Sequence, residues 1–190
     1  MTYSDKICRK GGIILNLLRL IDNSILDFIR DYLVNDVFDV IMSFFTHLGD
    51  MGFLWISIGI IMLLFKKTRK HGIVLLFSIG ICALVSLVIM KPFFGRMRPY
   101  EIRGIEPKIA PPGGSSFPSG HTASSFGAAY AVYLYDKRWG VLAFAVAAII
   151  AFSRMYFLVH YPTDIIMGVF VGMCCTLASR VVLNKFFEKY

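Results

Sequence analysis

Five stretches of the chain are apolar over most of their length, and polar residues gather at their edges. They run over residues 51–65, 72–90, 118–135, 139–159 and 161–179. The second holds 19 residues without a charge. The third carries only His121 as a group that titrates near neutrality. The fourth and fifth are each broken once, by Arg154 and by Asp164. A hydrocarbon core of about 30 Å takes about 20 helical residues, so each run predicts a membrane-spanning helix. Residues 51–65 are short by that measure, and their helix is expected to begin before Asp50.

Residues 13–48 follow another pattern. Leu17, Leu18, Leu20, Ile21, Ile25, Leu26, Phe28, Ile29 and Leu33 alternate with Arg19, Asp22, Asp27, Arg30 and Asp31 at nearly helical spacing. That is an apolar stripe beside a charged face. The charges are too many for a comfortable span, so one or two amphipathic helices at the membrane surface are expected, with room for a sixth span. The fold class is therefore all-α: a polytopic membrane helix bundle of about five transmembrane helices, six if this region adds one, plus N-terminal amphipathic interfacial helices.

The connections alternate in kind. Residues 66–70 and 136–138 are short and basic, and the tail after Ser179 is basic too. Residues 91–117 form a long loop rich in Gly and Pro, and residues 160–163 form a tight turn around Pro162. Crossing parity puts the 66–70 loop, Lys137-Arg138 and the tail on one side, with nine Lys or Arg among them. The positive-inside rule makes that side cytoplasmic. The long loop and the His160 turn then face outward, and every polar motif converges there.

Composition agrees. The 190 residues are 57% hydrophobic and only 17% charged, with a mean hydropathy of +0.67. Such a chain is a membrane protein and not a soluble domain. The net charge of +8 lies in short loops, which suits anionic headgroups and topology. No nucleic-acid partner is expected. Cys8, Cys82, Cys174 and Cys175 lack metal-site spacing and read as small packing residues. Residues 1–12 are polar and basic with no small-residue cleavage site after them, so no removable signal peptide is expected.

The edge residues define a chemistry. Pro118-Ser119-Gly120-His121 opens the third run. A helix start leaves N–H groups free and a positive dipole end, Ser119 adds a hydroxyl, and Gly120 admits an anion close to the backbone. Lys91 ends the second run and Arg98-Pro99 follows, bringing fixed cations that can hold phosphate oxygens. Arg96, Arg103 and Lys108 read as ordinary interfacial anchors. Arg154 stands near the outer end of the fourth run, His160 in the turn and Asp164 at the start of the fifth. A carboxylate on one imidazole nitrogen fixes the tautomer and raises basicity at the other, which makes His160 a nucleophile candidate toward phosphorus. His121, His160 and Asp164 are also the rival metal triad, but Lys91, Arg98 and Arg154 would repel a divalent cation. His47 and His71 have no matching partners and read as interfacial and loop residues.

Lys91-x6-Arg98-Pro99, Pro118-Ser119-Gly120-His121 and Ser153-Arg154-x5-His160-x3-Asp164 together resemble the three-part signature of the type 2 phosphatidic acid phosphatase family, in order and complete. The resemblance implies a two-step displacement. His160 attacks phosphorus to give a phosphohistidine, and Asp164 orients it. His121 protonates the leaving group and then activates water. Lys91, Arg98, Ser119, Gly120 and Arg154 hold the phosphoryl oxygens. It implies neither metal nor other cofactor. Residues 1–48 would be a membrane-surface segment and 49–190 the transmembrane phosphatase domain. The small bacterial members it resembles act on undecaprenyl pyrophosphate, ranked first here, or on phosphatidylglycerol phosphate or phosphatidic acid. The expected location is the plasma membrane, multi-pass, with the site on the extracytoplasmic face. A lipid phosphotransferase using the same phosphohistidine, and a non-catalytic scaffold or transporter, stay open as alternatives. Oligomeric state is not legible.

Overall fold

The computed structural model describes residues 12–187, and among them every regular element is helical. The signal-peptide expectation and Cys8 lie outside the described residues. Helix α1 (Ile13–Tyr32) and helix α2 (Asp36–Leu48) come first. The side chain of Asn35 caps α2 by accepting from the Phe38 N–H at 3.0 Å. A single 3₁₀ turn over Asp50–Gly52, with Met51 at φ 51° and Gly52 at φ 71°, breaks the path into α3 (Phe53–Leu64). Then follow α4 (Arg69–Ala83), α5 (Pro99–Arg103), α6 (Gly120–Tyr135), α7 (Lys137–Tyr156) and α8 (Pro162–Phe187). Past Ala83 the helix of α4 runs on through a π-helical stretch, Leu84–Met90, into Lys91–Phe94, and Gly95 at φ 55° ends it.

Three stretches are long and apolar enough to cross a membrane: Arg69–Arg103, Lys137–Tyr156 and Pro162–Phe186. The pair Asp36–Leu48 and Asp50–Leu64, bent by 48°, makes a fourth if taken as one span. The helix of the first apolar run thus begins at Phe53 and not before Asp50; α2 precedes it across a kink. The third run, α6, has 16 residues, or roughly 24 Å at ~1.5 Å per residue. Its place compensates for its length: it packs against α4, α7 and α8, with half of its residues buried, most of them Ala, Ser or Gly.

Small residues allow that central position. A Cβ on Gly172 of α8 would lie 2.3 Å from the Ala123 carbonyl oxygen of α6, and one on Gly168 would lie 2.8 Å from that of Ser119. Backbones this close are the known use of a Gly-x3-Gly pair in membranes. Polar glue joins it: Ser78 and Thr176 share a bond of 2.6 Å, Thr176 donates to the Gly127 carbonyl at 2.8 Å, and the Trp55 indole donates to Ser125 at 2.8 Å. Around the bundle, Phe53, Ile60, Ile61, Leu64, Leu142, Ile166, Phe170 and Val181 face outward, as lipid contact requires. The chain is a multi-pass membrane protein.

The ends of the bundle sort as crossing parity predicts. Lys70, His71, Leu134, Arg180 and Asn184 line one cavity, which joins the start of α4, the end of α6 and the end of α8. The motif residues meet at the other end. Helix α1 lies against α7 and α8. It buries Asp22, Leu26 and Ile29 and leaves Leu17, Leu20 and Phe28 exposed.

Candidate active site

The turn between α7 and α8 brings three of the expected residues together. The Arg154 carbonyl accepts from the N–H of Val159 at 3.1 Å and of His160 at 3.2 Å, with Leu158 at φ 55° completing the reversal. Pro162 opens α8, which sets Asp164 in its first turn. Asp164 and His160 are almost fully buried. The Nδ1 of His160 lies 3.5 Å from Asp164 Oδ2, so the proton belongs on Nδ1 and the lone pair on Nε2. Other donors fix the carboxylate: Ser116 Oγ at 2.5 Å and the Tyr161 N–H at 2.8 Å on Oδ2, and Arg96 Nη1 at 2.6 Å on Oδ1. Burial pushes the His160 imidazole down to about 3; Asp164 opposes this, while Arg98 and Arg154 add to it. At neutral pH the ring is uncharged and Nε2 is available.

The cations differ in what they already hold. Arg98 is fully buried. It donates to the carbonyls of Gly114 (3.2 Å), Val159 (2.8 Å), Gly113 (3.1 Å) and Ser115 (3.4 Å), and its Nη1 stands 3.5 Å from His160 Nε2. It pins the end of the long loop and faces the lone pair. Arg154, also buried, uses one donor on Thr46 Oγ1, and its Nε is buried without a partner. The Lys91 ammonium makes no hydrogen bond or ion pair with any described residue, although the Lys91 carbonyl accepts from the Gly95 N–H at 3.2 Å. These unspent donors are what an anion would take up.

Ser119 caps α6, with its Oγ accepting from the Thr122 N–H at 3.4 Å and hydroxyl at 2.9 Å. The Ser119 N–H donates to the Asp164 carbonyl at 3.2 Å, which ties the second motif to the third. The N–H groups of Gly120 and His121 find no partner among the described residues, as the first turn of a helix leaves them. His121 Nε2 lies 2.8 Å from Asp50 Oδ1, so its Nδ1 side is the one left for a substrate. All eight expected site residues thus sit at one end of the bundle. Among the described residues no three His, Cys, Asp or Glu side chains converge in a metal-ligating arrangement.

The PAP2 superfamily model matches residues 71–188. The chain belongs to the PAP2 superfamily. An undecaprenyl-diphosphatase of Sulfolobus acidocaldarius is 32% identical over 144 residues, covering 73% of this chain and 68% of that one. The crystal structure of Aquifex aeolicus LpxE superposes with a TM-score of 0.69 at 28% identity, over 87% of this chain and 93% of that one. The transmembrane PAP2-type phosphatidylglycerolphosphate phosphatase of Bacillus subtilis has the same fold, with a TM-score of 0.70 at 23% identity, over 94% and 90%. With its apolar helices, this PAP2 protein is a membrane lipid phosphatase, a phosphoric ester hydrolase.

The structure adds residues to the PAP2 motifs that sequence reading passed over. Arg96, Arg103 and Lys108 are not free interfacial anchors. Arg96 pairs with Asp164 at 2.6 Å and Asp22 at 2.7 Å, Arg103 with Asp27 at 2.8 Å and Lys108 with Asp39 at 2.5 Å. The long loop is therefore tied to α1 and α2 by opposite charge. Asp50 and Thr46, at the α2–α3 kink, reach His121 and Arg154. Gly49 permits this approach: a Cβ there would stand 2.9 Å from His121 Cδ2. His47 and His71 stay outside the site; His47 Nδ1 lies 2.7 Å from the Ser43 carbonyl oxygen, and His71 packs on Tyr135 with ring centres 5.1 Å apart.

Proposed function

We propose that the protein removes phosphate from a membrane lipid phosphate through a phosphohistidine on His160, at the extracytoplasmic face of the plasma membrane. The observation that carries this reading is the buried His160 imidazole, backed by Asp164 at 3.5 Å, at the same end of the bundle as cations whose donors are unspent: the Lys91 ammonium and the orphaned Nε of Arg154. Nε2 of His160 attacks phosphorus. Arg154, Lys91, Arg98 and the start of α6 at Ser119 and Gly120 take the developing oxyanion charge. His121 gives its proton to the departing alkoxide or phosphate, then takes one from the water that cleaves the N–P bond. Asp50 accepts from His121 and holds its ring. Residues 49–190 carry the reacting groups, and of the 1–48 segment α1 is the part that lies at the membrane surface, with Leu17, Leu20 and Phe28 exposed.

Undecaprenyl pyrophosphate is the first substrate choice, supported by the Sulfolobus relative. Phosphatidylglycerol phosphate and phosphatidic acid come next. The site stands at the end of spanning helices, where a headgroup can enter while its tails stay in the bilayer.

Phosphate release from a panel of these lipids by the purified protein, with EDTA present, tests the reading. Turnover should persist with EDTA and be inhibited by vanadate; loss of turnover restored only by a divalent ion would revive the metal triad. His160→Ala should abolish turnover and any trapped phosphoenzyme. General acid help is worth ~10²- to 10⁴-fold, and a lipid alkoxide needs it, whereas nitrophenolate does not. His121→Ala should therefore still phosphorylate itself from nitrophenyl phosphate and then stall. A phosphoenzyme that maps to His121 would reverse the two roles.

A further inference from the structure

Asp22 is 1% exposed although it lies on the amphipathic helix α1, and every bond its carboxylate makes leads to the site. Its Oδ1 accepts the Thr163 N–H at 2.9 Å. Its Oδ2 accepts the Thr163 hydroxyl at 2.6 Å and Arg96 Nη2 at 2.7 Å. Arg96 then spans the gap, with Nη1 donating to Asp164 Oδ1 at 2.6 Å and to Thr163 Oγ1 at 2.8 Å. Its Cζ lies 3.9 Å from the centre of the Tyr161 ring, a cation–π contact that adds to the hold on it. One planar fork thus holds two buried carboxylates, one from α1 and one from α8.

We propose that Asp22 is a positioning residue for the phosphoryl transfer: through Arg96 and Thr163 it holds the Asp164 carboxylate in line with His160, so that α1 supplies part of the catalytic assembly. The proposal rests on the phosphohistidine reading. Two physical effects combine. Arg96 orients Asp164 only if its own plane is fixed, and Asp22 fixes the far end of that plane. Charge matters as well. Two carboxylates share one guanidinium, so the trio keeps a net negative charge beside the imidazole. As His160 bonds to phosphorus its ring becomes cationic, and that charge stabilises it. Without Asp22 the whole Arg96 charge falls on Asp164, and the backing weakens.

The test is a double-mutant cycle on the full chain in detergent, with rapid-quench trapping of phosphoenzyme from nitrophenyl phosphate. Asp22→Asn should slow phosphoenzyme formation about ten- to a hundredfold, by analogy with the loss of the carboxylate behind a metal-bound histidine. KM should stay within about twofold. In the Asp164→Asn background the same change should cost under about twofold, because there is no longer a charged carboxylate to position. An unchanged rate in Asp22→Asn, or an equal loss in both backgrounds, overturns the proposal; the second is what a merely structural residue would give. If Asp22→Asn shows no folded transition, Arg96→Lys carries the same cycle, since an ammonium keeps the charge but not the planar fork. A phosphoenzyme formed by His160→Ala would remove the underlying reading and this proposal with it. A silent His160→Ala beside a fully active Asp22→Asn overturns this proposal alone.

Discussion

At the scale of single residues, burial is what makes the His160 ring useful, and it has a measurable cost. The folded ring resists protonation to about 3, whereas an unfolded imidazole titrates near 6.5. Below about pH 6.5 the unfolded chain binds a proton that the folded one refuses, so stability present above that pH is lost as pH falls toward 3. The slope approaches ~1.4 kcal/mol per pH unit. Between pH 7.5 and 5, wild type should lose about 2 kcal/mol relative to His160→Asn, which has no such proton to refuse; unfolding in detergent at the two pH values measures it. A stability gap that does not change with pH would mean that the folded ring titrates normally. The motif residues themselves were legible because their types are rare at the ends of apolar runs. Asp22 and Arg96 were not. Asp22 falls in register with Leu26 and Ile29, and that place on the buried stripe is the signal, but Arg19, Asp27, Arg30 and Asp31 around it make it look like part of a charged face. Arg96 looks like any headgroup-level arginine until the carboxylates it bridges, 68 and 74 residues away in the chain, are seen.

At the scale of elements, the geometry of the site depends on how closely α6 and α8 approach. The Ser119 N–H on the Asp164 carbonyl holds only while those two helices touch, and the glycines at 168 and 172 set the distance. Gly172→Ala would place a methyl 2.3 Å from a backbone oxygen, which no side-chain rotation relieves. It should destabilise the protein by about 1–3 kcal/mol and lower turnover as the helix start that carries Ser119 and His121 shifts from Asp164. Gly80→Ala is the control, since a Cβ there meets nothing within 4 Å and alanine favours a helix interior by up to ~1 kcal/mol. Equal melting and turnover of the two variants would show that the close approach is not needed. Apolar run length gives the helices. Run length did not show that α6 would be short and central, because its Ala, Ser and Gly residues score as apolar or neutral while their packing value comes from size. Nor did it show the kink at Gly49–Gly52, whose cause is backbone conformation at Met51 and Gly52.

At the scale of the whole molecule, the arrangement has a direction. Lys70 and Arg180 line one cavity at one end of the bundle, and the 136–138 turn joins α6 to α7 there. Lys91, His121, His160 and Asp164 lie at the other end. Pairing differs between the basic residues of the long loop and those of the basic end. Arg96, Arg103 and Lys108 are neutralised by Asp22, Asp27 and Asp39, whereas Lys66, Lys67 and Arg69 form no ion pair with any described residue. The positive-inside rule counts Lys and Arg and gives Asp and Glu little weight, so the contrast is nine such residues at the basic end against five in the long loop. The site end should then face outward. In a chain whose four cysteines are replaced by alanine, Lys67→Cys should be shielded from an impermeant thiol reagent in intact cells and react after permeabilisation. Ala110→Cys, exposed in the long loop, should react in intact cells. The reverse pattern would put the site on the cytoplasmic face and remove lipids presented only at the outer leaflet from its substrates, while leaving the His160 chemistry as it stands.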